Sequence, residues 1–203
     1  MKTILALAVA TACVMAAQAS AALVPSTYDP GNTGCATSSY ANGVLHLAKT
    51  CATTTNAAAQ ADVTGLAGQS FSSASFTLAS TAQCQGGSPR FNVVTDTGTF
   101  FLGCNNVVPS GNTYTFTAQT LAAAGQQVPT PTGTIQSVQI VLDVQGSADL
   151  TQIAVNGVAQ TVAPTGMAAC KKGGWKALGF RNQGQCVSHY EHLVHPKGGS
   201  HTK

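Results

Sequence analysis

Glycoside hydrolysis needs two carboxyl groups at a set separation, one of them held protonated. The acids of this chain are few enough to weigh one by one. Past residue 21 they are Asp29, Asp62, Asp96, Asp143, Asp149 and Glu191. Asp143 stands in the longest apolar stretch and reads as an outward-facing or strand-end carboxylate, or as a calcium ligand. Asp96 precedes Thr97-Gly98 and reads as a turn residue. His46 alternates with Leu45 and Leu47 and so points to the other strand face, where a solvent-facing or hydrogen-bonded histidine is the expectation. No GxSxG elbow, HExxH, P-loop or GxGxxG occurs. Whether Asp96, Asp143, Asp149 and His46 meet in one pocket separates a hydrolase from a binding protein. Clustering favours the enzyme, scatter the binder.

Recognition chemistry has its own candidates. Arg90 is the one arginine before the C-terminal segment and sits in a Gly/Ser/Pro loop ahead of a strand. There it would bind an anion or pair with Asp96 across a hairpin. Sugars stack on exposed aromatic faces, and Trp175 and Tyr190 are the best-placed aromatics for that. Lys171, Lys172 and Lys176 surround Trp175 with cations. The mixture suits an anionic cell-wall polymer or lipid headgroups, and nucleic acid is not expected outside the cell. His189 and His192 are i, i+3 neighbours with His195 nearby, and read as solvated surface histidines rather than a metal site. No cofactor is implied, and calcium at Asp143 is only one of the readings of that residue.

Charge is segregated. From residue 23 to 169 there are two bases, Lys49 and Arg90, against five acids, a net −3. From residue 170 to 203 six bases stand against Glu191, a net +5. A cationic terminus of this kind points to polyanions or to solubility.

Export is written at the other end. Lys2 precedes the small apolar run Thr3–Ala17, and both Ala17-Gln18-Ala19 and Ala19-Ser20-Ala21 fit small-x-small cleavage, so residues 1–21 read as a signal peptide. Cys13 is a poor lipid-attachment site, with Ala10 three residues before it and too short an apolar run. No later run approaches about 18 apolar residues, so no transmembrane helix is expected. Six cysteines remain: Cys35, Cys51, Cys84, Cys104, Cys170 and Cys186. An even number after export implies a disulfide framework. Six cysteines allow about 15 pairings, of which the sequential one is simplest. Each loop would then contribute roughly 3 kcal/mol.

The elements that must position these groups are short strands. Cys84–Cys104 reads as a clipped hairpin, with Phe91–Thr95 out, turn chemistry at Asp96-Thr97-Gly98, and Thr99–Leu102 back. Val44–Ala48, Ala61–Thr64, Ala74–Leu78 and Thr113–Thr117 are further strands. Thr134–Gln145 is the central one, Gly146–Asp149 a turn, Leu150–Val155 a strand, and Asn156-Gly157 a hairpin turn into Val158–Val162. Residues 22–42 read as a turn-rich lead-in. After Pro164-Thr165-Gly166 comes a separate unit, where Asn182 caps an amphipathic helix with Gln185 as box partner.

The pattern Cys170-Lys-Lys-Gly-Gly-Trp175, then Asn182-Gln-Gly-Gln-Cys186-Val-Ser, resembles a C-terminal segment of small secreted bacterial proteins of unassigned function. Ser88-Pro89-Arg90-Phe91, Ile140–Asp143 and Val155-Asn156-Gly157 are similar to the body of such proteins. The resemblance implies a jelly-roll-like sandwich and export, and brings no active site. The expectation is an antiparallel β-sandwich over 22–165 and a cationic, helix-containing, disulfide-stapled segment over 166–203. Its function is read as non-catalytic binding of polysaccharide or an anionic cell-wall polymer. A secreted polysaccharide hydrolase is the alternative.

Overall fold

A period-two alternation of burial runs through most of the chain, and it folds the chain as two sheets packed face to face. The structure is a computed structural model. It describes residues 22–125, 128–162, 170, 171, 175 and 181–194, excluding the side chains of 162 and 189–194. The signal-peptide assignment, Lys172, Lys176 and His195 lie outside the described residues, as do the side chains of Tyr190, His189 and His192.

The strands are β1 (Ala22–Tyr28), β2 (Ala36–Ala41), β3 (Val44–Lys49), β4 (Ala58–Thr64), β5 (Ala74–Leu78), β6 (Arg90–Thr95) and β7 (Gly98–Gly103). They continue as β8 (Thr113–Phe116), β9 (Ile135–Leu142), β10 (Gly146–Val155), β11 (Val158–Ala159) and β12 (Thr161–Val162). The α-helices with described bounds are α1 (Ala118–Ala123) and α2 (Gln183–Val194). The first sheet has the order β12-β1-β4-β9-β6-β7, the second β2-β3-β10-β5-β8, with β11 paired to β10. All pairs are antiparallel except β1 with β12. The antiparallel sandwich expected from the sequence is what forms.

Phe76 of β5 is fully buried at the centre of the core. Its ring centroid lies 5.6 Å from Phe91, 5.4 Å from Tyr114 and 5.8 Å from Phe116, joining the two sheets. Phe91 and Phe116 meet edge to face at 5.8 Å, a geometry that aromatic quadrupoles favour.

The three disulfides are Cys35–Cys51, Cys84–Cys104 and Cys170–Cys186, the sequential pairing. The first brackets the β2–β3 hairpin and the second the β6–β7 hairpin. The third fixes α2, whose start is capped as expected: Gln185 N–H donates to Asn182 Oδ1 at 2.9 Å.

Three stretches depart from the sequence reading. Residues 22–42 hold two strands, not a lead-in. Pro25 in β1 disguised the first, although β1 pairs with β4 along its whole length. Gly146–Asp149 is no turn, because β10 begins at Gly146 and Asp149 pairs with His46 of β3. β10 also carries a register shift between Thr151 and Ala154, with Gln152 at φ 48°, a bulge that resets the alternation.

Candidate functional site

Side chains on the outer face of the first sheet fall into rows across its strands. The registers place Phe101, Asn92, Gln139, Asp62 and Val24 in one row. The next holds Gly103, Arg90, Val141, Gln60 and Ser26. Tyr28 pairs with Ala58 just beyond. From β1 to β7 is four interstrand steps, roughly 19 Å. An aromatic stands at either end: Tyr28 is 48% exposed and Phe101 54%.

Two clefts open on this face. The larger, about 570 Å³, runs from Tyr28 past Asn56 and Gln60 to Arg90, Asn92 and Asp143. The smaller, about 410 Å³, lies on the other side of Arg90, between Phe101, Asn105, Asn106 and Val128. Gly87 and Gly103 line the smaller one, and a Cβ at either would come within 2.9 Å and 2.7 Å of the Asn105 amide oxygen. Only glycine leaves this floor open.

Arg90 is fixed from several sides. Its Nη1 meets Asp143 Oδ2 at 2.7 Å, Nε donates to Asn92 Oδ1 at 2.8 Å, and the guanidinium sits 5.6 Å from the Phe101 ring centroid. Ser88, fully buried, donates to Asp143 Oδ1 at 2.6 Å. Burial pushes the Asp143 carboxyl up, but the Ser88 hydroxyl and the Arg90 guanidinium outweigh it and hold the group below the ordinary 3.8.

Under the larger cleft lies a residue whose role the sequence reading missed. Lys49 follows Leu45 and Leu47 on the inner face of β3 and is 1% exposed. Its Nζ donates to Thr53 O at 3.0 Å, Thr55 O at 2.7 Å and Asp143 O at 2.7 Å. That is the full donor set of an ammonium, and it ties the β3–β4 loop to the end of β9. Gln145 adds two more ties to the same loop, from its backbone N to Thr53 Oγ1 at 3.0 Å and from its side chain to Thr50 O at 3.1 Å.

The sequence candidates separate. Arg90 borders both clefts but pairs with Asp143, not Asp96, since Asp96 is committed at the β6–β7 turn, where Oδ1 accepts Thr134 N–H at 2.7 Å. Asp143 ends a strand as anticipated, with both carboxylate oxygens occupied. His46 Nδ1 meets Asp149 Oδ1 at 2.6 Å on the outer face of the second sheet. Asp96, Asp143 and the His46–Asp149 pair therefore occupy three separate places. Among the described residues, no three His, Cys, Asp or Glu side chains gather as a metal site. Lys171 is exposed, and Trp175 is half-buried rather than exposed. Tyr28, Gln60, Asn92 and Phe101 were passed over, although strand parity puts each on an outer face.

No helix among the described residues is long and apolar enough to cross a membrane. Compared with known proteins, the chain matches no family model, no curated protein and no solved structure.

Proposed function

We propose that this is an exported, non-catalytic binding protein that holds a polysaccharide on the outer face of its first sheet. The observation that carries this reading is the polar groove of about 570 Å³ lined by Tyr28, Asn56, Gln60, Asn92 and Arg90, continued past Arg90 to Phe101. Exposed rings offer stacking surfaces at its ends, and amide, hydroxyl and guanidinium groups between them match sugar hydroxyls. The leader-like N-terminus and the three disulfides support an oxidising compartment. The cationic segment, with Lys171, Lys172, Lys176, Trp175 and Tyr190, would add affinity for an anionic cell wall.

The test is retention of the full mature chain on insoluble polysaccharides and cell walls, comparing wild type with Tyr28→Ala and Gln60→Ala. Each variant should lower retention about three- to tenfold while leaving the thermal transition in place. Unchanged retention in both would move the site off this face.

The hydrolase alternative has one arrangement in its favour. Ser39, His46 and Asp149 stand in one cross-strand row over β2, β3 and β10. None of the three lines either cleft. Release of reducing ends from a retained polymer, lost in His46→Ala, would favour the enzyme.

A further inference from the structure

The charged residues that line the two clefts are Lys49, Arg90 and Asp143. Two cations face one carboxylate, in a region of the chain where acids outnumber bases five to two. Asp62 shares the sheet face but lines neither cleft, and its Oδ1 accepts from the Gln139 amide at 2.7 Å. Asp29, Asp96 and Asp149 line neither cleft, and solvent and salt screen exposed charges over about 8–10 Å.

Lys49 is the unusual member. Three carbonyl oxygens satisfy its donors, yet among the described residues no carboxylate touches its Nζ. Asp143 gives Lys49 its carbonyl and spends its carboxylate on Arg90 and Ser88. A buried cation compensated by dipoles alone favours an anion nearby. Arg90 supplies the contact. Its Nε is used on Asn92 and its Nη1 on Asp143 and Ser88, whereas its Nη2 donates to no side chain or carbonyl among the described residues. Arg90 and Gly86 border both clefts, so the guanidinium stands at the junction between them.

We infer that the groove selects an anionic glycan, with a carboxylate or sulfate of the polymer seated on Arg90 Nη2 at the junction of the two clefts, in the field of Lys49. This rests on the reading of the outer face as a glycan-binding surface and narrows its ligand to acidic polymers. It also places anion recognition on the sandwich, independently of the cationic C-terminal segment.

The experiment uses the full mature chain and two pairs of probes that differ only in charge: polygalacturonate with its methyl ester, and dextran sulfate with dextran. In at least one pair the anionic member should bind about tenfold tighter at low salt, the preference shrinking as salt rises. That pair identifies the anion. Arg90→Gln should abolish the preference. Asp143→Asn removes the one lining carboxylate and releases Arg90 Nη1, so it should strengthen anionic binding several-fold, an effect opposite in sign to structural damage. It also carries the test if Arg90→Gln fails to fold. Equal binding of both members in both pairs overturns the inference and leaves glycan binding standing. A preference that survives Arg90→Gln, or no gain in Asp143→Asn, also overturns it. No retention of any probe or of the cell-wall panel removes the reading on which it rests.

Discussion

Lys49 and Asp143 show how much a single position can decide. Lys49→Met would keep the apolar stem of the side chain in the core but strip three carbonyl oxygens of their donor. Losing three bonds from a buried ammonium to part-buried carbonyls is costly, and stability should fall on the order of 3 kcal/mol, read from the denaturant midpoint. A loss under about 1 kcal/mol would mean that water replaces the ammonium. Asp143 makes a pH prediction. A carboxyl held below its unfolded value stabilises the fold above that value, and this contribution disappears as pH falls through the folded value. The stability advantage of wild type over Asp143→Asn should therefore be constant from neutrality to about pH 5 and shrink toward about pH 2. A gap that does not change with pH would uncouple the carboxylate from Arg90. Lys49 was half-legible: Leu45-x-Leu47-x-Lys49 gives its parity, but its partners lie up to 94 residues away. The Ser88–Asp143 contact spans 55 residues, and no local pattern foretells it.

At the scale of elements, the β6–β7 hairpin matters most. The Cys84–Cys104 bridge spans 20 residues, and within that span lie Gly86, Gly87, Ser88, Arg90, Asn92 and Phe101. One disulfide therefore closes the segment that carries much of the groove. Replacing both cysteines by alanine should cost roughly 3 kcal/mol by the chain-entropy model, measured by denaturant unfolding, and should also weaken ligand retention. A stable variant with unaltered binding would show that packing alone holds the hairpin. This hairpin and the Asn156-Gly157 turn were legible because their signals are local. The two turn residues take φ of 52° and 75°, values that Asn and Gly tolerate and most residues do not. β1 was not legible, because its identity comes from pairing with β4 and β12, and Pro25 argues against a strand when read alone. Edge strands tolerate proline, but a strand with neighbours on both sides does so only where that N–H is not needed in the ladder. The Gly146 start of β10 failed for a related reason: glycine and aspartate spell a turn, and the sheet overrides them.

Across the whole molecule, sequence neighbours are mostly not spatial neighbours. Among the described strands of the first sheet only β6 and β7 are consecutive and paired, while β1, β4 and β9 join across long separations. Such pairings must close large loops before they gain contacts, which makes folding slow. The two sandwich disulfides each bracket a hairpin, one in each sheet, and leave the sheet-to-sheet arrangement to the core around Phe76. Oxidised protein should therefore refold faster than reduced protein after dilution from denaturant, and equal rates would show that hairpin closure is not limiting.

The scarcity and placement of cations have a consequence for resistance to proteolysis. Trypsin-like proteases cut after lysine or arginine in segments that can open locally. Between residues 23 and 169 the chain offers them Lys49 and Arg90 alone. The first is sealed in the core and the second lies in a paired strand, held by Asp143 and Asn92. Limited trypsin digestion should trim the chain at or beyond Lys171 and leave the rest as one long-lived fragment, visible by mass spectrometry. Early cleavage after Lys49 would show that the β3–β4 loop opens far more readily than its three carbonyl contacts imply. A protein built this way can lose its basic end to a protease and keep its groove.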